Sequence, residues 1–133
     1  MAMGNPYNKY QEQAVKFSSP EKLLLMLFDG AIKFSGQARI AIENKNIEKA
    51  HNLIQKCENI IDYLINTLDP KFELSDGIEK MYDYIAYNFT QANMTKDVKY
   101  LDEADLYLKE FRETWNQAAK LANQENEPVK KAL

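Results

Sequence analysis

Few side chains in this sequence could carry out a reaction, and the most suggestive set is Glu48-Lys49-Ala50-His51. A Glu-x-x-His pair puts two ligands on one face of a helix, which is how ferritin-like di-iron bundles hold metal; those bundles use two such elements and two further inward glutamates. His51 is the only histidine in the chain, and Glu48 falls one step past Ile47 toward the outside of the helix. Both side chains are therefore expected to face water. A lone helical histidine can also accept a phosphoryl group from an aspartate, as in phosphotransfer bundles. That chemistry favours a histidine midway along a helix with small neighbours, whereas His51 sits in the first turns of its helix with Gln55 one turn further on. Phosphotransfer through His51 stands as the alternative reading.

The remaining chemistry is sparse. The sequence has no Gly-rich phosphate loop, no Cys-x-x-Cys and no Ser/His/Asp set that its one histidine could serve. Cys57 is the only cysteine, so a disulfide framework is excluded and a reducing compartment fits; its apolar periodic setting makes it a small core residue. Asp29 stands four residues before Lys33 and is expected to pair with it along the helix surface. No enzyme activity, metal or cofactor is expected.

The elements that carry these residues follow from size, composition and period. A chain of 133 residues fits one domain with a single core. An apolar share of 45%, a charged share of 28% and only four glycines favour helices over strands. The net charge of −3 is spread among mixed signs, which argues against nucleic acid as a partner. No stretch of 18 apolar residues and no signal-peptide pattern occurs, so a cytoplasmic protein without membrane insertion is expected.

The period is helical throughout. Ser18 and Glu21 have capping-box spacing and Pro20 suits a first turn, so a helix is expected from about Ser19 to Asn44. Its seam is Leu24, Ala31, Ala38 with Leu27, Phe34, Ala41. Leu23 to Phe28 are six large apolar residues in succession, more than one stripe can bury. Gly30 and Gly36 inside this helix suggest close approach of a neighbouring backbone. After Asn44-Lys45-Asn46, a second helix carries Ile47, Ile54, Ile61, Leu68 and Ala50, Cys57, Leu64 at seven-residue intervals, and Asp69-Pro70 stops it. A third, capped by Ser75 or Asp76, runs to about Met94 with Ile78, Ile85, Ala92 and Phe89 in its seam. The fourth uses Leu101, Leu108, Trp115, Ala122 and Ala104, Phe111, Ala118. The expected fold is all-α, an antiparallel up-down-up-down four-helix bundle over residues 18–122, preceded by a cap segment (1–17) and followed by a polar mobile tail (123–133).

Each helix carries more apolar and aromatic surface than a four-helix core absorbs, and a surplus stripe marks a groove. The candidate groove residues are Leu53, Ile60, Tyr63, Tyr84, Tyr87, Tyr100 and Tyr107. An amphipathic partner helix laid on such a surface would be anchored at i, i+3, i+4 and i+7. The segment before the bundle places Tyr7, Tyr10 and Phe17 on one helical face, suited to cap an apolar surface. Docking Tyr7 and Tyr10 would contribute about 7 kcal/mol from roughly 300 Å² of burial, against a cost of about 10 kcal/mol for ordering some ten residues, so the cap would exchange between docked and free.

Four segments in order resemble the FliS family of flagellar secretion chaperones: Asn5-Pro6-Tyr7-x-x-Tyr10, Ser19 to Gly30, Met81-Tyr82-Asp83-Tyr84, and Phe111-Arg112-x-x-Trp115. The resemblance runs from about residue 5 to 122. It implies a cytosolic export chaperone without enzymatic activity or cofactor, whose partners are the C-terminal segment of flagellin and the flagellar export apparatus. It further implies that premature filament polymerisation is prevented, and that the chain's own N-terminal segment can occupy part of the groove. A helical adaptor for another secreted protein would fit the same groove. Monomer and weak dimer are both left open.

Overall fold

The structure, a computed structural model, describes residues 20–125. They form four helices: α1 (Pro20–Glu43), α2 (Ile47–Thr67), α3 (Ser75–Thr95) and α4 (Val98–Glu125). The two shortest connections are each reversed by a lysine in the left-handed region, Lys45 at φ 61° and Lys96 at φ 55°. At the first, the Lys45 N–H donates to the Ile42 carbonyl and the Asn46 N–H to the Ala41 carbonyl, a Schellman closure of α1. The Asn46 side chain then accepts the Lys49 N–H and starts α2 at once.

Such short links leave each helix antiparallel to the next. In the resulting ring α1 packs on α2 and α4, and α3 packs on α2 and α4, an antiparallel bundle. The core is the heptad seam: Leu27, Ala31, Ala38, Ala50, Ile54, Cys57, Ile61, Ile85, Phe89, Leu101, Ala104 and Leu108 are all essentially inaccessible. Small residues let α1 and α2 approach closely enough for the Cys57 Sγ to reach the Ala31 carbonyl at 3.5 Å. Phe28, which the heptad count left outside the seam, is fully buried and stacks on Phe111 of α4 at 6.0 Å.

Several local expectations are corrected. Asp29 does not turn to Lys33; its Oδ1 accepts the Arg112 Nε–H at 2.6 Å, because a guanidinium on α4 offers a planar two-point fit that a flexible lysine does not. A Cβ built on Gly36 meets nothing within 4 Å, so no backbone approaches there. Ser75 does not cap α3: the N-cap is Leu74 without a side-chain bond, and the Ser75 hydroxyl donates instead to the Pro70 carbonyl across the loop. Ile47 is 49% exposed despite its seam position, since it is the first residue of α2 and extends past the core. α4 continues through Glu125, into what the loss of apolar period marked as tail. The cap residues Tyr7, Tyr10 and Phe17, and the capping residue Ser18, lie outside the described residues.

Candidate binding surface

The seven residues picked out as a groove are sorted by the fold into four places. Tyr84, Tyr87 and Tyr107 come together on the outer α3/α4 face. Tyr84 and Tyr87 stack with centroids 6.4 Å apart, one turn apart on α3, and Tyr84 meets Tyr107 edge-on at 5.4 Å. The Tyr84 hydroxyl donates to Glu103 Oε2 at 2.6 Å, and that hydrogen bond to a carboxylate raises the phenol's pKa. Tyr84 and Tyr87 are 38% and 53% exposed, so this is an aromatic platform open to solvent.

Tyr100, one heptad before Tyr107, is half-buried on α4 with Lys99 Nζ 5.1 Å from its ring centroid. Tyr63 stands elsewhere, on the rim of a cavity at the bundle end where α1 starts and α2 finishes. The cavity holds about 130 Å³ and is lined by Pro20, Leu23, Leu24, Leu27, Tyr63, Leu64, Thr67, Leu68, Tyr82 and Trp115.

Leu53 and Ile60 are corrected. They are 6% and 0% exposed and belong to the core cluster, so neither offers a surface to a partner. Both widen the α2 stripe toward its neighbouring helices, and a bundle of four closes over a wider stripe than two heptad positions provide.

Two buried polar features accompany these surfaces. Asp105 of α4 and Ser35 of α1 are buried, and Asp105 Oδ2 accepts from Arg39 Nη2 at 3.2 Å. Arg39 also pairs with Asp102. With the Asp29–Arg112 pair, this ties the α1/α4 seam at two heights. Burial raises the Asp105 pKa, against the pull of Ser35, Arg39 and Lys109, and pushes the Cys57 thiol well up. At the cavity, Tyr82 is buried, and burial raises the pKa of its hydroxyl strongly against the opposing pull of a hydrogen bond with the Trp115 side chain.

The reactive candidates are placed apart from all of this. Glu48 and His51 are exposed near the start of α2, and His51 Nδ1 lies 3.1 Å from Asn93 Oδ1 on α3. Among the described residues no cluster of three or more His, Cys, Asp or Glu could hold a metal ion, and no helix is long and apolar enough to cross a membrane. The cavity lining was not legible as a set. Its signal was indirect: the Leu23 to Phe28 run and the bulky seam residues Tyr82 and Trp115, which meet only once α1, α3 and α4 are side by side.

The described residues thus form a helical bundle with an exposed aromatic surface on one face and an apolar cavity at one end. The comparisons with known proteins name the chain's family. Residues 3–122 match the family model of the flagellar protein FliS, and the chain belongs to that family. It is 41% identical over 118 residues to the flagellar secretion chaperone FliS of Bacillus subtilis (strain 168), covering 89% of each chain. Against the flagellar secretion chaperone FliS of Salmonella typhimurium it is 31% identical, over 84% of this chain and 85% of that one. A crystal structure of a bacterial flagellar chaperone superposes with a TM-score of 0.72 over 85% of this chain and 96% of that one; at 19% identity this likeness speaks for the fold.

Proposed function

We propose that the chain is a cytoplasmic export chaperone that holds the C-terminal segment of flagellin against its apolar surface, keeps it from polymerising, and delivers it to the flagellar export apparatus. Membership of the flagellar secretion chaperone family supports the export role. The observation that supports the binding role is the Tyr84/Tyr87/Tyr107 platform, in which Tyr84 and Tyr87 are exposed and Tyr107 half-buried. Tyrosine rings offer apolar area at low conformational cost. A disordered segment that folds into an amphipathic helix would bury its apolar stripe on them. Residues 1–17, with Tyr7, Tyr10 and Phe17, would compete for apolar surface when no client is present. The activity is masking, which requires no reaction and no cofactor. Its test is seeded flagellin polymerisation with and without an equimolar amount of the chain: elongation should stop at stoichiometric addition, and unchanged elongation would overturn the reading.

A further inference from the structure

Tyr100, Glu103 and Tyr107 stand at i, i+3 and i+7 on α4, so a carboxylate lies between two tyrosines on one helix face. Glu103 is half-buried there, and no ion pair among the described residues involves it. A partly desolvated carboxylate needs a hydrogen-bond donor, and the Tyr84 hydroxyl of α3 supplies one at 2.6 Å. We propose that Glu103 is a positioning residue of the tyrosine platform: it holds the Tyr84 ring edge-on to Tyr107, so that the surface offered to the client is set before binding. The proposal rests on the client reading above.

The argument is one of restraint on an exposed side chain. Tyr84 is 38% exposed, and an exposed ring on a helix surface changes rotamer readily. Its hydroxyl is the atom farthest from the backbone, so holding that atom holds both side-chain torsions. At 2.6 Å the bond from hydroxyl to carboxylate is of the short, charge-assisted kind. It also crosses from α3 to α4, tying Tyr84 to the helix that carries its edge-on neighbour Tyr107. A side chain already in its bound arrangement need not be ordered on association, which is worth on the order of threefold to tenfold in affinity. Glu103 therefore acts through Tyr84.

The experiment is calorimetry of the full chain and its variants against a synthetic peptide of the flagellin C-terminal segment, with circular dichroism showing each variant folded at the titration temperature. Glu103→Ala should weaken binding roughly threefold to tenfold. Glu103→Gln, whose amide oxygen accepts the same hydroxyl, should recover most of that loss at the net charge of the alanine variant. Tyr84→Phe deletes the hydroxyl and keeps the ring; it should lose as much as Glu103→Ala, and the double variant Tyr84→Phe/Glu103→Ala should lose no more than either alone. His51→Ala removes an exposed contact between α2 and α3 and should bind as the parent does. Equal losses in the Ala and Gln variants, additive losses in the double variant, or a comparable loss in His51→Ala would overturn the positioning role. Tighter binding by Glu103→Ala would overturn it too, since the carboxylate would then oppose the client. Parental affinity in all variants would overturn the proposal and leave the client reading standing. No binding by the parent chain would remove the client reading and this proposal with it.

Discussion

The Tyr84 ring meets the Tyr107 ring at 86° with centroids 5.4 Å apart, joining α3 to α4 by an edge-to-face contact on the outside of the bundle. Tyr87 extends the same surface from one turn further along α3 and is 53% exposed. Tyr87→Ala is expected to weaken binding of the flagellin C-terminal peptide roughly tenfold, as loss of an aromatic anchor does. Urea unfolding should stay within about 0.5 kcal/mol of the parent, the range of surface substitutions. Unchanged affinity would remove Tyr87 from the client surface.

Ile60 should behave in the opposite way. It is fully buried on α2, so Ile60→Ala is expected to cost about 2–5 kcal/mol of stability. Ile60→Asp should prevent the bundle from forming, because an uncompensated carboxylate would enter the core. Circular dichroism and urea titration check both. A folded, stable Ile60→Asp would show that this position faces the surface.

Ile60 also shows how far the sequence could be read. Heptad counting found the core of all four helices and the three breaks between them, because the 3.5-residue period is a local signal. It could not divide the surplus apolar residues between core and surface. Leu53, Ile60 and Tyr87 look alike on a helical wheel, and their burial depends on how neighbouring helices rotate. The Asp29–Arg112 pair joins residues 83 positions apart, and local spacing offered only Lys33. The cavity needs residues from all four helices at one end of the bundle, which no window along the chain brings together.

Asp105 gives the fold a pH dependence. Burial, opposed by Ser35, Arg39 and Lys109, raises its native pKa, so the folded chain keeps this proton to higher pH than the unfolded chain. Stability contributed by this group is therefore present below the unfolded value of about 3.9 and lost as pH rises through the raised native value. Asp105→Asn, which removes the charge at constant shape, is expected to be more stable than the parent at pH 7, with the difference shrinking toward about pH 4. Urea midpoints at the two pH values measure it. A less stable variant at pH 7 would show that the Arg39 pair outweighs burial.

Lys45 closes α1 in the left-handed region at φ 61° with its side chain exposed. A side chain there carries a steric cost that glycine avoids. Lys45→Gly is expected to raise stability by up to about 1 kcal/mol, read as a higher thermal midpoint. A lower midpoint would mean that the lysine side chain stabilises the turn by more than its strained backbone costs.

On the proposed function, the chain recognises the C-terminal segment of flagellin through its apolar surface. Calorimetry of the full chain against a flagellin C-terminal peptide, with an N-terminal flagellin peptide as control, tests it most directly. Saturable binding of the C-terminal peptide with a negative heat-capacity change is expected, the mark of buried apolar area, with no binding of the control. Equal binding of both peptides, or of neither, would contradict the account.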